Sequence, residues 1–324
     1  MPPTRRTFLQ TAAYVAGASL LPGQSTAKSV ETAVLNIAYE ESGPATGFPV
    51  ILLHGFPDDA HAYDDVAPPL AKAGYRVIVP YIRGYGATRF RDPAAPRMAE
   101  QAAIGQDVID LADALRLGRL AVGGFDWGGR AAAVAAALHP ERVSAALLIG
   151  GYSIQDTISP PQPGPPEAEE RAWYQWYFNT ERGRLGLRKN RKALCRYLWQ
   201  TWSPTWKFSD ALYEKTAASF ENPDFVDCVI HSYRHRNMNA AGEPRFTAME
   251  RNLAKRPKIT CPVITLYGGD DAFGRPAPDA TPAEKAVLTN LIAHRVVPGA
   301  GHFVPHEKPE LVATALLELL RASA

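Results

Sequence analysis

The sequence has almost no excess of either charge. Lys and Arg number 35 and Asp and Glu 33 over 324 residues, a formal +2 at neutral pH. A chain that recruits nucleic acid or an acidic surface by its overall field is thereby excluded. Cysteine is scarce. Cys195, Cys228 and Cys261 are too few and too scattered for a disulfide-stapled mini-fold, and none forms a Cys-x-x-Cys pair. They read as buried thiols, with a Cys195–Cys228 bridge left open. No apolar run reaches the roughly 18–20 residues of a membrane span. Gly (25) and Pro (28) stay below the low-complexity range. There are no internal repeats, no phosphate loop and no dinucleotide fingerprint, so no cofactor is expected. What remains is an ordinary globular composition, 46 % apolar and 21 % charged, long enough for two units or one large α/β domain.

The first residues form a separate segment. Thr4-Arg5-Arg6-Thr7-Phe8-Leu9-Gln10 precedes a short, weakly apolar run from Thr11 to Leu21, then Pro22-Gly23-Gln24 and the small residues Ser25 and Ala27. This order resembles a bacterial twin-arginine export signal cleaved after Ala27. It predicts recognition of residues 1–27 by the twin-arginine machinery and a periplasmic or secreted location. Folding would precede export and would not depend on disulfides.

Short continuous apolar runs follow. Pro49–His54, Tyr75–Val79, Leu120–Phe125, Val143–Ile149 and Val263–Tyr267 read as strands buried on both faces. Helical patterns alternate with them, at Ala99–Leu117 and Trp127–Leu138, and a last strand near His294–Val297 leads to a helix near Pro309–Leu320. Such alternation predicts a mostly parallel sheet with helices on both faces. It stops near Tyr152. The Pro-rich stretch Ser159–Pro166 follows, and then a helical region holding five of the six tryptophans: Trp173, Trp176, Trp199, Trp202 and Trp206. The predicted organisation is a first core segment over 28–152, a helical cap inserted over 153–250, and a second core segment over 251–324.

The chemistry centres on Gly124-Phe125-Asp126-Trp127-Gly128-Gly129, at the junction of a buried strand and a small-residue helix. This is the setting of a nucleophile elbow, with glycine on either side of a tight turn. The nucleophile position holds Asp126 where hydrolases of acyl groups carry serine. A carboxylate is a competent nucleophile at saturated carbon, so displacement at carbon with an ester on Asp126 is expected. Gly299-Ala300-Gly301-His302 follows the last strand, where a histidine can act as general base on water. Leu266-Tyr267-Gly268-Gly269-Asp270-Asp271 ends the strand before it. A carboxylate there can orient the imidazole; Asp271 is preferred and Asp270 is the other candidate. The order nucleophile, acid, histidine is that of α/β-hydrolases. His54-Gly55-Phe56-Pro57 ends an early strand, and the backbone N–H groups of Phe56 and Trp127 would form an oxyanion hole. Arg83-Gly84-Tyr85-Gly86 reads as a structural loop.

These motifs, their order and the insertion resemble the epoxide hydrolases of the α/β-hydrolase superfamily over about residues 34–320. Within the cap, Trp173-Tyr174-Gln175-Trp176-Tyr177-Phe178 is similar to that family's first tyrosine segment, and His231-Ser232-Tyr233-Arg234 to its second. The resemblance implies that Tyr174 and Tyr233 grip the oxirane oxygen, while Tyr177 packs the cap. Phenolic donors suit an oxygen that becomes an alkoxide. Tyr81 stands where relatives often have Asp, and Ser232 where they have Trp. Dehalogenases share the Asp nucleophile. Haloalkane dehalogenases often carry Asn where this chain has Phe56, and fluoroacetate-type enzymes an Arg where it has Trp127, though Arg130 matches their second arginine.

His231 and His235, four residues apart on a helix, lack a third ligand, so no metal is expected. The basic run Arg182–Arg196 reads as a solvated cap face. The leading expectation is a cofactor-free epoxide hydrolase acting on a small apolar or aromatic epoxide. A dehalogenase is the enzymatic alternative, and a receptor-like α/β-hydrolase that binds without turnover is the other.

Overall fold

The computed structural model describes residues 27–323, so the expected export signal lies, apart from Ala27, outside the described residues. Nine strands form one sheet: β1 (Lys28–Glu31), β2 (Leu35–Ser42), β3 (Pro49–Leu53), β4 (Arg76–Pro80), β5 (Arg89–Phe90), β6 (Leu120–Phe125), β7 (Val143–Ile149), β8 (Val263–Gly268) and β9 (Leu291–Val297). Their order is β1-β2-β4-β3-β6-β7-β8-β9, with β5 beside β2. The six strands from β4 to β9 along this path pair in parallel. Every residue of β6 and β7 is buried, which is why these strands read as unbroken apolar runs. The β1, β2 and β5 edge pairs antiparallel. No strand was expected there, because Leu35–Ser42 is only half-buried and ends in the polar residues Glu40, Glu41 and Ser42.

On the core, α1 (Ala67–Lys72), α2 (Gln101–Ala114) and α3 (Asp126–Leu138) follow the early strands. Between β7 and β8 the chain is helical: α4 (Pro166–Arg171), α5 (Trp173–Phe178), α6 (Glu181–Trp202), α7 (Asp210–Ala217), α8 (Phe225–His235) and α9 (Thr247–Leu253). The chain closes with α10 (Pro282–Val287), α11 (Val304–Glu307) and α12 (Pro309–Ala322).

The helical insert is fastened to loops at the carboxyl ends of the strands. Trp199 donates its indole N–H to Pro57 O at 2.7 Å, and Ser219 donates to Asp59 at 2.5 Å. Arg97 pairs with Asp224 at 2.7 Å, and Ala99 N donates to His231 Nδ1 at 2.8 Å. Phe303, from the core, joins Trp199, Trp202 and Trp206 in one aromatic cluster. The insert thereby lies over the crevice outside the strand ends, where open parallel sheets bind ligands. All three cysteines are buried and free, so Cys195 and Cys228 do not pair.

Candidate active site

The turn from β6 into α3 places Asp126 at φ +52°, a left-handed conformation rarely adopted outside glycine. Its tightness is measurable. A Cβ on Gly124 would come within 2.4 Å of Gly128 O, and one on Gly128 within 2.1 Å of Leu53 O. Such strain persists only where the surroundings fix it, and it holds the Asp126 carboxylate at the head of the helix. Asp126 Oδ1 accepts a hydrogen bond from Phe56 N at 2.8 Å. The Trp127 N–H, in the first turn of α3, is one of the helix donors without an intrahelical acceptor. His54 fixes the Phe56 loop from below. Ile82 N donates to its Nε2 at 3.1 Å, and burial lowers its pKa to about 4, so the ring stays neutral.

His302 stands across from Asp126, with Nε2 3.7 Å from Oδ2. Its Nδ1 lies 3.1 Å from Asp271 Oδ2. The other oxygen of Asp271 accepts from Phe273 N and Gly274 N, each at 2.8 Å, so that carboxylate is anchored by backbone. Burial raises the Asp271 pKa, but the neighbouring imidazole and these amides outweigh it and the net direction is down. Burial likewise pushes His302 down, and the two carboxylates outweigh it, lifting the imidazole to about 10. At neutral pH the resting His302 is therefore an imidazolium beside the Asp271 carboxylate. Asp270 faces elsewhere: it accepts from Thr205 Oγ1 at 3.2 Å.

The histidine loop is held by a carboxylate that the sequence did not single out. Glu307 accepts from Gly301 N at 2.8 Å, Phe303 N at 3.1 Å and Ser203 Oγ at 2.7 Å. Ser203 in turn accepts from His302 N at 2.8 Å. Ser203 comes from the end of α6, so the insert and the core jointly set the loop.

From the insert, α5 brings Tyr174 and α8 brings Tyr233, their rings 5.4 Å apart. Tyr233 also packs 5.4 Å from Trp127 and 5.6 Å from Phe56. Gln175 Nε2 donates to Tyr174 Oη at 3.0 Å, whereas Tyr233 Oη and His302 Nε2 are buried without a hydrogen-bond partner among the described residues. Burial first, and then nearby negative charge that includes Asp126, raise both phenol pKa values, so both hydroxyls keep their protons. A cavity of about 320 Å³ opens here, lined by Asp126, Trp127, Arg130, Tyr174, Arg236 and His302 among others. Its size and mixed lining suit a small molecule. Tyr174 lines it directly; Tyr233 packs against Tyr174 and Trp127 without forming part of the wall.

Other residues singled out in the sequence sit away from this cavity. Arg83 is buried and pairs with Asp107 through two bonds of 2.7 and 2.6 Å. Tyr81 donates to Glu40 at 3.2 Å, and Ser232 turns its hydroxyl back to Val229 O at 2.8 Å. Tyr177 packs on Trp173. His231 and His235 stack at 5.7 Å, with His231 Nδ1 accepting from Ala99 N and Nε2 bonded to Ala241 O at 2.9 Å. The basic run is paired along α6: Arg184 and Arg188 to Asp227, Arg191 to Glu221, Lys192 to Glu214 and Arg196 to Asp210. Besides Glu307 and Ser203, the sequence reading missed Gln155 and Arg236. Both lie outside any motif, and only the fold brings them to the cavity wall.

Comparison with known proteins agrees with this architecture. The family model of the alpha/beta hydrolase fold matches residues 49–309. An epoxide hydrolase of Caballeronia sordidicola is 26% identical over 317 residues, covering 89% of this chain and 90% of that protein. Epoxide hydrolase A of Mycobacterium tuberculosis is 27% identical, covering 92% and 98%. A haloalkane dehalogenase of Psychrobacter cryohalolentis is 25% identical, covering 90% and 89%. Among solved structures, a candidate epoxide hydrolase of Klebsiella pneumoniae superposes with a TM-score of 0.86 at 41% identity, covering 91% of this chain and 97% of that one. With its elbow carboxylate, its strand order and these relatives, the chain belongs to the α/β-hydrolase fold family, in its epoxide hydrolase branch.

Proposed function

We propose that this protein hydrolyses epoxides to vicinal diols through an ester on Asp126. The observation that carries the reading is a carboxylate on a strained elbow at the wall of a cavity that the buried phenol of Tyr174 also lines, with Tyr233 packed against that phenol. Asp126 attacks an oxirane carbon, and the C–O bond breaks as the ester bond forms. The leaving oxygen takes a proton from the Tyr174 and Tyr233 pair. Esterification removes one of the two charges that raise His302, so the imidazole loses its hold on its proton. That proton balances the one taken by the epoxide oxygen. Neutral His302, oriented by Asp271, then draws a proton from water as the water attacks the ester carbonyl. The N–H groups of Phe56 and Trp127 stabilise the resulting oxyanion, as an amide pair does in other acyl transfers. Collapse releases the diol and regenerates the Asp126 carboxylate. The reaction consumes only epoxide and water, so the scheme calls for no cofactor.

In this reading the helical insert acts as a cap that carries the oxygen-binding groups. Removal of halide by the same nucleophile is the second reading, favoured by Arg130 in the cavity wall. A panel of aryl epoxides, haloalkanes and haloacids, assayed for diol and for halide, separates the two. Diol without halide is expected; halide release without diol would overturn the proposal, and so would tight binding with no product. Export is part of the proposal: a reporter fused behind residues 1–27 should reach the periplasm, and should stay in the cytoplasm when Arg5 and Arg6 are replaced by Lys.

A further inference from the structure

Two arginines line the catalytic cavity, and among the described residues neither forms a salt bridge. Arg130, on α3, is only 8 % exposed. Its Nη1 donates to Gln155 Oε1 at 2.6 Å, and its Nε is buried with no partner. Arg236, just past α8, is half-buried and enters the same wall. Both guanidinium groups lie against one indole, 4.6 and 5.9 Å from the Trp127 ring centroid. Among the described residues, Arg130 bonds the Gln155 amide and Arg236 contacts the Trp127 and Tyr233 rings, and neither forms a salt bridge with a carboxylate. The carboxylates nearest in charge are otherwise engaged. Asp126 accepts from Phe56 N and faces His302. Glu250 accepts from Gln101 Nε2, Ala102 N and Thr157 Oγ1.

Buried charges are ordinarily paired, and a guanidinium left unpaired is costly. Burial, and then the Arg236 charge, lower the Arg130 pKa to about 9. Arg236 and Gln155 also line an adjoining cleft of about 480 Å³, so Arg236 stands where that cleft meets the cavity and Arg130 lies on the cavity side. Arginine's planar fork matches a carboxylate through two parallel bonds. From this arrangement we infer that Arg130 and Arg236 form an anion subsite, and that the epoxides used by this enzyme carry a carboxylate near the oxirane. The inference rests on the proposed epoxide chemistry for the reaction, and on the arginines alone for the binding.

The two parts are tested separately. Binding is measured by calorimetry with hydrocinnamate against hydrocinnamamide, which have no reactive group. The acid should bind about tenfold tighter or more than the amide, the advantage expected of hydrogen bonds to a charged group. Arg236→Gln should bring the ratio toward one, and Arg236→Lys should restore part of it. Turnover is measured with phenylglycidate against phenylglycidamide, and the same ratio should appear in kcat/KM. Equal binding of acid and amide, or a preference untouched by Arg236→Gln and Arg130→Gln alike, overturns the subsite. Diol from neutral epoxides with no acid preference overturns it too, while leaving the proposed reaction standing. An acid preference in binding together with halide from bromoacetate and no diol from any epoxide supports the subsite and overturns the epoxide reading.

Discussion

The core and the helical insert contribute to the cavity in opposite ways. The core's groups are fastened before any substrate arrives. Asp126 is held by the elbow and Phe56 N, Asp271 by two backbone amides, and the His302 loop by Glu307. Among the described residues, the insert and its flank leave the Tyr233 hydroxyl without a hydrogen-bond partner and Arg236 without a salt bridge, while the open polar atoms on the core side are His302 Nε2 and Arg130 Nε. Preorganised groups serve the step whose geometry never changes, attack of water on the Asp126 ester. Unused donors serve the step in which a foreign oxygen acquires charge. The comparison therefore assigns the nucleophile and ester hydrolysis to the core, and the protonation of the leaving oxygen during ester formation to the insert.

The largest effect should come from the core. Asp271→Asn leaves the shape intact but offers His302 the wrong partner, and single-turnover hydrolysis of the ester should slow by roughly 10⁴-fold. Ester formation, followed by quenched flow, should change far less. Next come the insert tyrosines. Tyr174→Phe and Tyr233→Phe keep the rings and lose only the donors, and each should slow ester formation by roughly 100- to 1000-fold, the usual cost of a lost oxyanion donor. Hydrolysis of a preformed ester should be nearly unaffected, and if both steps fell equally the division between core and insert would fail. Glu307→Gln sets an NH2 group against backbone donors and loosens the His302 loop. A drop of roughly 10- to 100-fold in hydrolysis, with little change in KM, is expected from misplacing the base.

The smallest effect is on stability against pH. The folded His302 pKa, about 10, lies above its ordinary 6.5. Its contribution is fully present below about pH 6.5, declines as pH rises, and is lost above about pH 10. Chemical denaturation of wild type and His302→Gln across that window should converge at the alkaline end. A gap that widened with pH would contradict the charge state given to the resting site.

The same division explains what could be read in the sequence. Strands β3, β4, β6, β7 and β8 announced themselves because burial on both faces leaves an unbroken apolar run. The half-buried β2 and its partners β1 and β5 carry no such signal. Asp126 was legible because the elbow demands glycines two before and two after it, a local constraint. Tyr174 and Tyr233 came from likeness to a family, since no local rule separates a catalytic phenol from a packing one such as Tyr177. Glu307, Ser203, Gln155 and Arg236 were not legible. Their partners lie far off in sequence or on the backbone, and a contact made only by the fold leaves no pattern along the chain.

The central claim is that a covalent ester forms on Asp126 and that its hydrolysis requires His302 as the base for water. His302→Gln incubated with styrene oxide and digested should give an Asp126 peptide heavier by one substrate molecule. The adduct should accumulate in step with the loss of epoxide and without diol. An unmodified Asp126 peptide, or diol at the wild-type rate from this variant, would contradict the account.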